Sequence, residues 1–106
     1  MALPLSSPKY QPVSASGSGD NPIVSAVTGK KIRVLHYVVS ASGSVNWKWK
    51  SGASTDLTGL SYGVANTNLS AVSPAGLFET AAGQPLNLNL SAAVAVGGHV
   101  TYCEVG

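Results

Sequence analysis

His36 and His99 are the only imidazoles in the chain, and Cys103 is its only thiol. These side chains bind metals or act as bases and nucleophiles near neutral pH. His99 and Cys103 lie four residues apart in "HVTYC". On a strand that spacing separates them by about 13 Å, too far to share one ion. No acidic residue stands close in sequence to either histidine to orient its ring. A metal site needs three or four convergent groups, so each imidazole reads as structural and no metal site is expected.

Other routes to catalysis are equally bare. Serines are abundant, but none sits in a strand–turn–helix elbow of the G-x-S-x-G type. Asp20, Asp56, Glu79 and Glu104 are the only acids and are scattered along the chain, so a carboxylate pair would require a tertiary coincidence. "GVANTN" and "GSGD" lack the lysine and the helix start that turn a glycine-rich loop into a phosphate cradle. The expectation is a non-enzyme without a cofactor.

The stretch with most binding character is "SVNWKWKSG" at 44–52. As a strand it sends Val45, Trp47 and Trp49 to one face and Asn46, Lys48 and Lys50 to the other. A stacking platform for nucleic acid would put rings and cations on a shared surface; alternation separates them. The expectation is that Trp47 and Trp49 face a core or a subunit contact. Glycan binding by exposed indoles, with Asn46 or Tyr62 beside them, is the alternative.

Composition bears on what must position these groups. At 106 residues the chain fits one domain, which buries only about 60–65% of its unfolded surface and gains from neighbours. Charged residues are 9% of the chain, against about 25% in ordinary soluble domains. Ser, Gly, Asn, Thr and Ala replace them, a surface suited to being covered in an assembly. The net charge of +2, on Lys9, Lys30, Lys31, Arg33, Lys48 and Lys50, is too small and divided for a nucleic-acid partner. A lone cysteine excludes an intramolecular disulfide. "MALPLSSPKY" lacks a signal peptide's charged and apolar regions, so synthesis in a cytoplasm is expected. No apolar run approaches the roughly 20 residues of a membrane helix, so no membrane partner is expected.

Residues 1–22 contain Pro4, Pro8, Pro12 and Pro22 among Ser and Gly and read as an extended N-terminal arm. Its apolar members Leu3, Leu5, Tyr10 and Val13 are the candidates for contact with a partner. The domain is expected over 23–106. Helical periodicity is nowhere sustained, and 12 glycines oppose helices. "KKIRVLHYVVS", the turn "ASGS" and "VNWKWKS" read as a hairpin. In "PLNLNLSAAVAV", Leu86, Leu88 and Leu90 alternate with Asn87 and Asn89, a strand with one buried face. "GG" at 97–98 suits a tight turn that would set Ala92 against Cys103 and place the thiol in the core. A looser variant ends that strand at Ser91 and leaves Cys103 unassigned. Seven or eight short strands without helices point to an all-β fold, a small β-sandwich of jelly-roll type. The alternative is an immunoglobulin-like sandwich, although its Cys…Trp…Cys pattern is absent.

With "KIRVLHYVVSASGSVNWKWKSG" and "FETAAGQPLNLNLSAAVAVGGHVTY" laid out, the chain resembles small tailed-bacteriophage virion proteins of the capsid decoration, or cement, type over about residues 28–106. The resemblance rests on strand texture and carries no catalytic motif or contact residue. It implies a jelly-roll, tumour-necrosis-factor-like sandwich on the capsid surface of a virion. It also implies a homotrimer whose partners are the major capsid protein and itself, stabilising the shell. The rival expectation is a glycan- or receptor-binding head of a phage tail fibre.

Overall fold

A computed structural model describes residues 7–106. Ten strands run in chain order: β1 (Lys9–Ala15), β2 (Gly19–Val24), β3 (Lys31–Ala41), β4 (Val45–Ser51), β5 (Thr55–Asp56), β6 (Ser61–Gly63), β7 (Asn68–Val72), β8 (Phe78–Glu79), β9 (Leu86–Leu90) and β10 (Val96–Val105). No helix occurs among the described residues. The strands form two antiparallel sheets packed as a sandwich, as the alternating sequence predicted. The first sheet has the order β1-β10-β3-β7, with β8 also on β3; the second has β2-β9-β4-β5, with β6 also on β4.

Each sheet turns a row of apolar residues inward. β3 contributes Ile32, Val34, Tyr37 and Val39, and β4 contributes Val45, Trp47 and Trp49. β9, central in its sheet, contributes Leu86, Leu88 and Leu90, each at most 1% exposed. The phase of β3 slips at Leu35, because Thr101 pairs with His36 while Tyr102 pairs with Val34. This extra residue is a β-bulge, and it lets both Val34 and Tyr37 face the core.

The N-terminal arm is corrected over its described part. Residues 9–15 and 19–24 are edge strands, β1 on β10 and β2 on β9. Proline suits such edges, since its missing N–H is lost on the solvent side. Pro12 lies in β1 and Pro22 in β2, next to a bulge. Residues 16–18 carry the chain from one sheet to the other. Asn21 braces that corner, donating to the carbonyls of Gly17 at 2.8 Å and Gly19 at 3.1 Å.

Two pairings also differ from expectation. β3 and β4 do not form a hairpin; they lie in different sheets. The turn between them crosses the sandwich, held by Ser42, whose N–H and Oγ both donate to the Ala95 carbonyl at 3.0 and 2.8 Å. The crossing lets both strands bury one face against each other's sheet. Gly97 and Gly98 are not a turn but lie within β10, opposite Ser40 and Val39. Gly98 has φ +140°, and a Cβ there would collide with the Val38 carbonyl oxygen, so close backbone approach requires glycine. β9 ends at Leu90, as in the looser variant, and Cys103 pairs with Arg33 rather than Ala92. The immunoglobulin alternative also fails on strand order: its first two strands share a sheet, whereas β1 and β2 here do not.

Candidate functional site

Period-two alternation gives the first sheet an outward face built from three cross-strand rows. They are Tyr10–Thr101–His36–Val72, Pro12–His99–Val38–Ser70 and Ser14–Gly97–Ser40–Asn68. Tyr10 and Val72, at the two ends of the first row, are 75% and 72% exposed. None of the chain's charged residues lies in these rows.

The charges are gathered elsewhere and paired. At the far end of the same sheet Lys9 meets Glu104 at 2.8 Å, and Arg33 and Lys31 meet Glu79 at 2.9 and 3.4 Å. The Arg33 hydrogen bond, aided by Lys31, holds the Glu79 carboxyl below its ordinary value against the opposing effect of burial. On the outward face of the second sheet Lys48 meets Asp56 at 3.1 Å and Lys50 meets Asp20 at 3.8 Å. All four acids are thus in separate ion pairs or clusters, and no two carboxylates form a catalytic pair.

The register joins two residues that are remote in sequence. His36 and His99 lie diagonally across the β3–β10 ladder, their ring centroids 5.4 Å apart and tilted by 65°. Sequence spacing could not reveal this, because it depends on which strands pair and on the bulge at Leu35. No group of three or more metal-ligating side chains occurs among the described residues.

At the end of the same sheet a groove of about 520 Å³ is lined by the polar residues Ser14, Ser40, Ser42, Asn66 and Asn68, together with Ala41 and residues 95–97. Asn66 stands at φ +68°, a left-handed position that asparagine tolerates better than most residues. The string Gly59-Leu60-Ser61-Tyr62-Gly63 spells G-x-S-x-G, yet Ser61 opens β6 and pairs with Trp47. No helix follows it among the described residues, and both histidines lie on the other sheet.

Trp47 and Trp49 are each 1% exposed. Trp49 packs against Tyr37 and Phe78 of the opposite sheet, with centroids 5.4 and 6.2 Å away. Neither indole N–H finds an acceptor among the described residues. Val45, Leu86, Leu88 and Leu90 are buried with them. Lys48 and Lys50, which alternate with the tryptophans, point outward to Asp56 and Asp20. Cys103 is fully buried, and burial pushes its thiol up from its ordinary value. It is buried as a core residue should be, on the row of Arg33 beside the central apolar cluster.

Of the candidate arm contacts, Leu3 and Leu5 lie outside the described residues. Tyr10 is an exposed surface residue, available for contact. Val13 is a correction: at 3% exposure it is core, since alternation along β1 turns it inward. Val38, Val72, His36 and His99 belong to the exposed face and were not singled out as contacts from sequence. Their signal was the apolar or aromatic residue on the polar phase of a strand, visible only after the inward phase is known.

No protein-family model matches the chain, and no curated protein matches it in sequence.

Proposed function

We propose that this chain is a structural virion protein of the capsid decoration type, docking on the major capsid protein as a homotrimer and stabilising the shell. The observation that carries the reading is the uncharged outward face of the first sheet, with Tyr10 and Val72 standing in solvent. Isolated exposed apolar residues are ordinary, but a sheet face that carries them at both ends of a row, with no charge in any of its three rows, has the composition of a contact surface. A small domain with sparse charge gains stability by covering such a face. The strand order, with β1, β10, β3 and β7 facing β2, β9, β4 and β6, supports the jelly-roll form of the sandwich.

The test is a copy count in gradient-purified particles by quantitative mass spectrometry, with Val72→Glu and Tyr10→Glu variants added back to stripped shells. Hundreds of copies per particle, lost in the variants, are expected. A handful of copies, or undiminished attachment of both variants, overturns the reading.

A second reading, a glycan- or receptor-binding head of a tail fibre, draws on the groove lined by serine and asparagine. It lacks the indole platform, because both tryptophans are buried. Sugar-induced shifts of the Asn66 and Asn68 amide resonances, combined with a low copy number, would favour it.

A further inference from the structure

We propose that His36 and His99 form a two-nitrogen site for a borderline divalent transition-metal ion of the zinc class on the open face of the first sheet. The side chains project from neighbouring antiparallel strands at diagonal register positions, His36 opposite Thr101 and His99 opposite Val38. Their ring centroids are 5.4 Å apart. Two nitrogens bound to one tetrahedral zinc at 2.0–2.1 Å stand about 3.4 Å from each other. Each ring nitrogen lies off its centroid, so two rings at this centroid separation can turn one nitrogen each toward a shared ion.

The surroundings fit a cation. Thr101, Tyr10 and Val72 share the row of His36, and Pro12, Val38 and Ser70 share that of His99. No lysine or arginine lies in either row to repel the ion. No carboxylate lies there, and two imidazoles fall short of the three or four groups of a complete protein site, so the remaining coordination positions go to solvent or to a donor from another molecule. Imidazole suits zinc, nickel and copper, whereas magnesium and calcium require oxygen ligands. Each ring binds through a neutral nitrogen and keeps its proton on the other, so acid weakens the site. The pairing arises from two β-strands locked by a ten-residue ladder, a rigid support that lowers the ordering cost of chelation.

The experiment is a titration of the intact chain with ZnCl₂ at pH 7.5 and again at pH 5. Calorimetry and imidazole ¹H–¹⁵N correlation spectra provide the readouts. The expected result is one ion per chain, with both imidazole spin systems shifting together and no response to MgCl₂. His36→Gln and His99→Gln should each weaken binding at least tenfold, and the double variant should be no worse than the weaker single. Both side chains face outward, so the variants should keep the parent's metal-free Tm; a lowered Tm would move the decision to the paired imidazole shifts of the parent. Binding within twofold of the parent in either single variant overturns the proposal, as does a shift of only one imidazole.

Discussion

Replacing Trp49 tests the packing of the sandwich and the state of its indole nitrogen together. The ring is 1% exposed and bridges the two sheets through Tyr37 and Phe78. Trp49→Ala removes that bridge and leaves a cavity, which costs about 3–5 kcal/mol. The aromatic contacts are worth about 0.5–1.5 kcal/mol beyond area. Trp49→Phe is different. It forfeits roughly 40 Å² of apolar burial, about 1 kcal/mol, but it also removes a buried N–H without an acceptor among the described residues. An unsatisfied buried donor costs about 1–3 kcal/mol, so the two effects offset and Trp49→Phe should stay within about 1 kcal/mol of the parent. Urea unfolding followed by circular dichroism reads both values; for a domain near 100 residues each kcal/mol moves Tm by about 4–8 °C. A phenylalanine variant as damaged as the alanine variant would show that the N–H is hydrogen-bonded in solution. An alanine variant costing under about 1 kcal/mol would refute the placement of Trp49 between the sheets.

Three further outcomes are expected. Gly98→Ala forces a Cβ toward the Val38 carbonyl at φ +140° and should cost at least about 2 kcal/mol, whereas Gly97→Ala meets only an ordinary 3.7 Å contact with the Val13 carbonyl and should be nearly neutral; equal Tm values for the pair would contradict the geometry of β10. Removing residues 1–20 strips β1, with buried Val13 and Ala15, from the edge of β10, so the truncated chain should lose its cooperative thermal transition; a sharp transition near the parent Tm would restore the arm reading. Glu79 has a lowered folded-state value, so the unfolded chain takes up that proton first. Its stabilising contribution is complete above the ordinary carboxylate value and fades as pH falls through the lower folded one. The stability difference between parent and Glu79→Gln should therefore be constant at neutral pH and shrink in acid, and a difference independent of pH down to full protonation would exclude the Arg33–Glu79 pair as its source.

The uncharged face joins these observations to the proposed docking role. Its rows place apolar and imidazole groups in solvent, while the ion pairs sit at one end of the sheet and on the opposite sheet. A contact made there would not have to strip water from charged groups, whose desolvation is the main polar cost of association.

Alternation in the sequence determined which side of β4 and β9 carries the apolar core. Trp47 and Trp49, and Leu86, Leu88 and Leu90, share an inward phase because successive side chains on a strand point to opposite faces. Composition likewise determined that the domain is built of strands and turns, since its glycines and β-branched residues disfavour helices. Period two says nothing about which strand is the neighbour. The β3–β4 segment spells a hairpin locally, yet burying both apolar faces sends the strands to different sheets. Pro12 and Pro22 look like linker residues until the sheet supplies edges where a missing N–H costs nothing. Only tertiary structure could bring His36 beside His99, because their approach depends on the β3–β10 register and on the extra residue at Leu35. Local sequence encodes the phase of a strand, and non-local pairing decides what that phase meets.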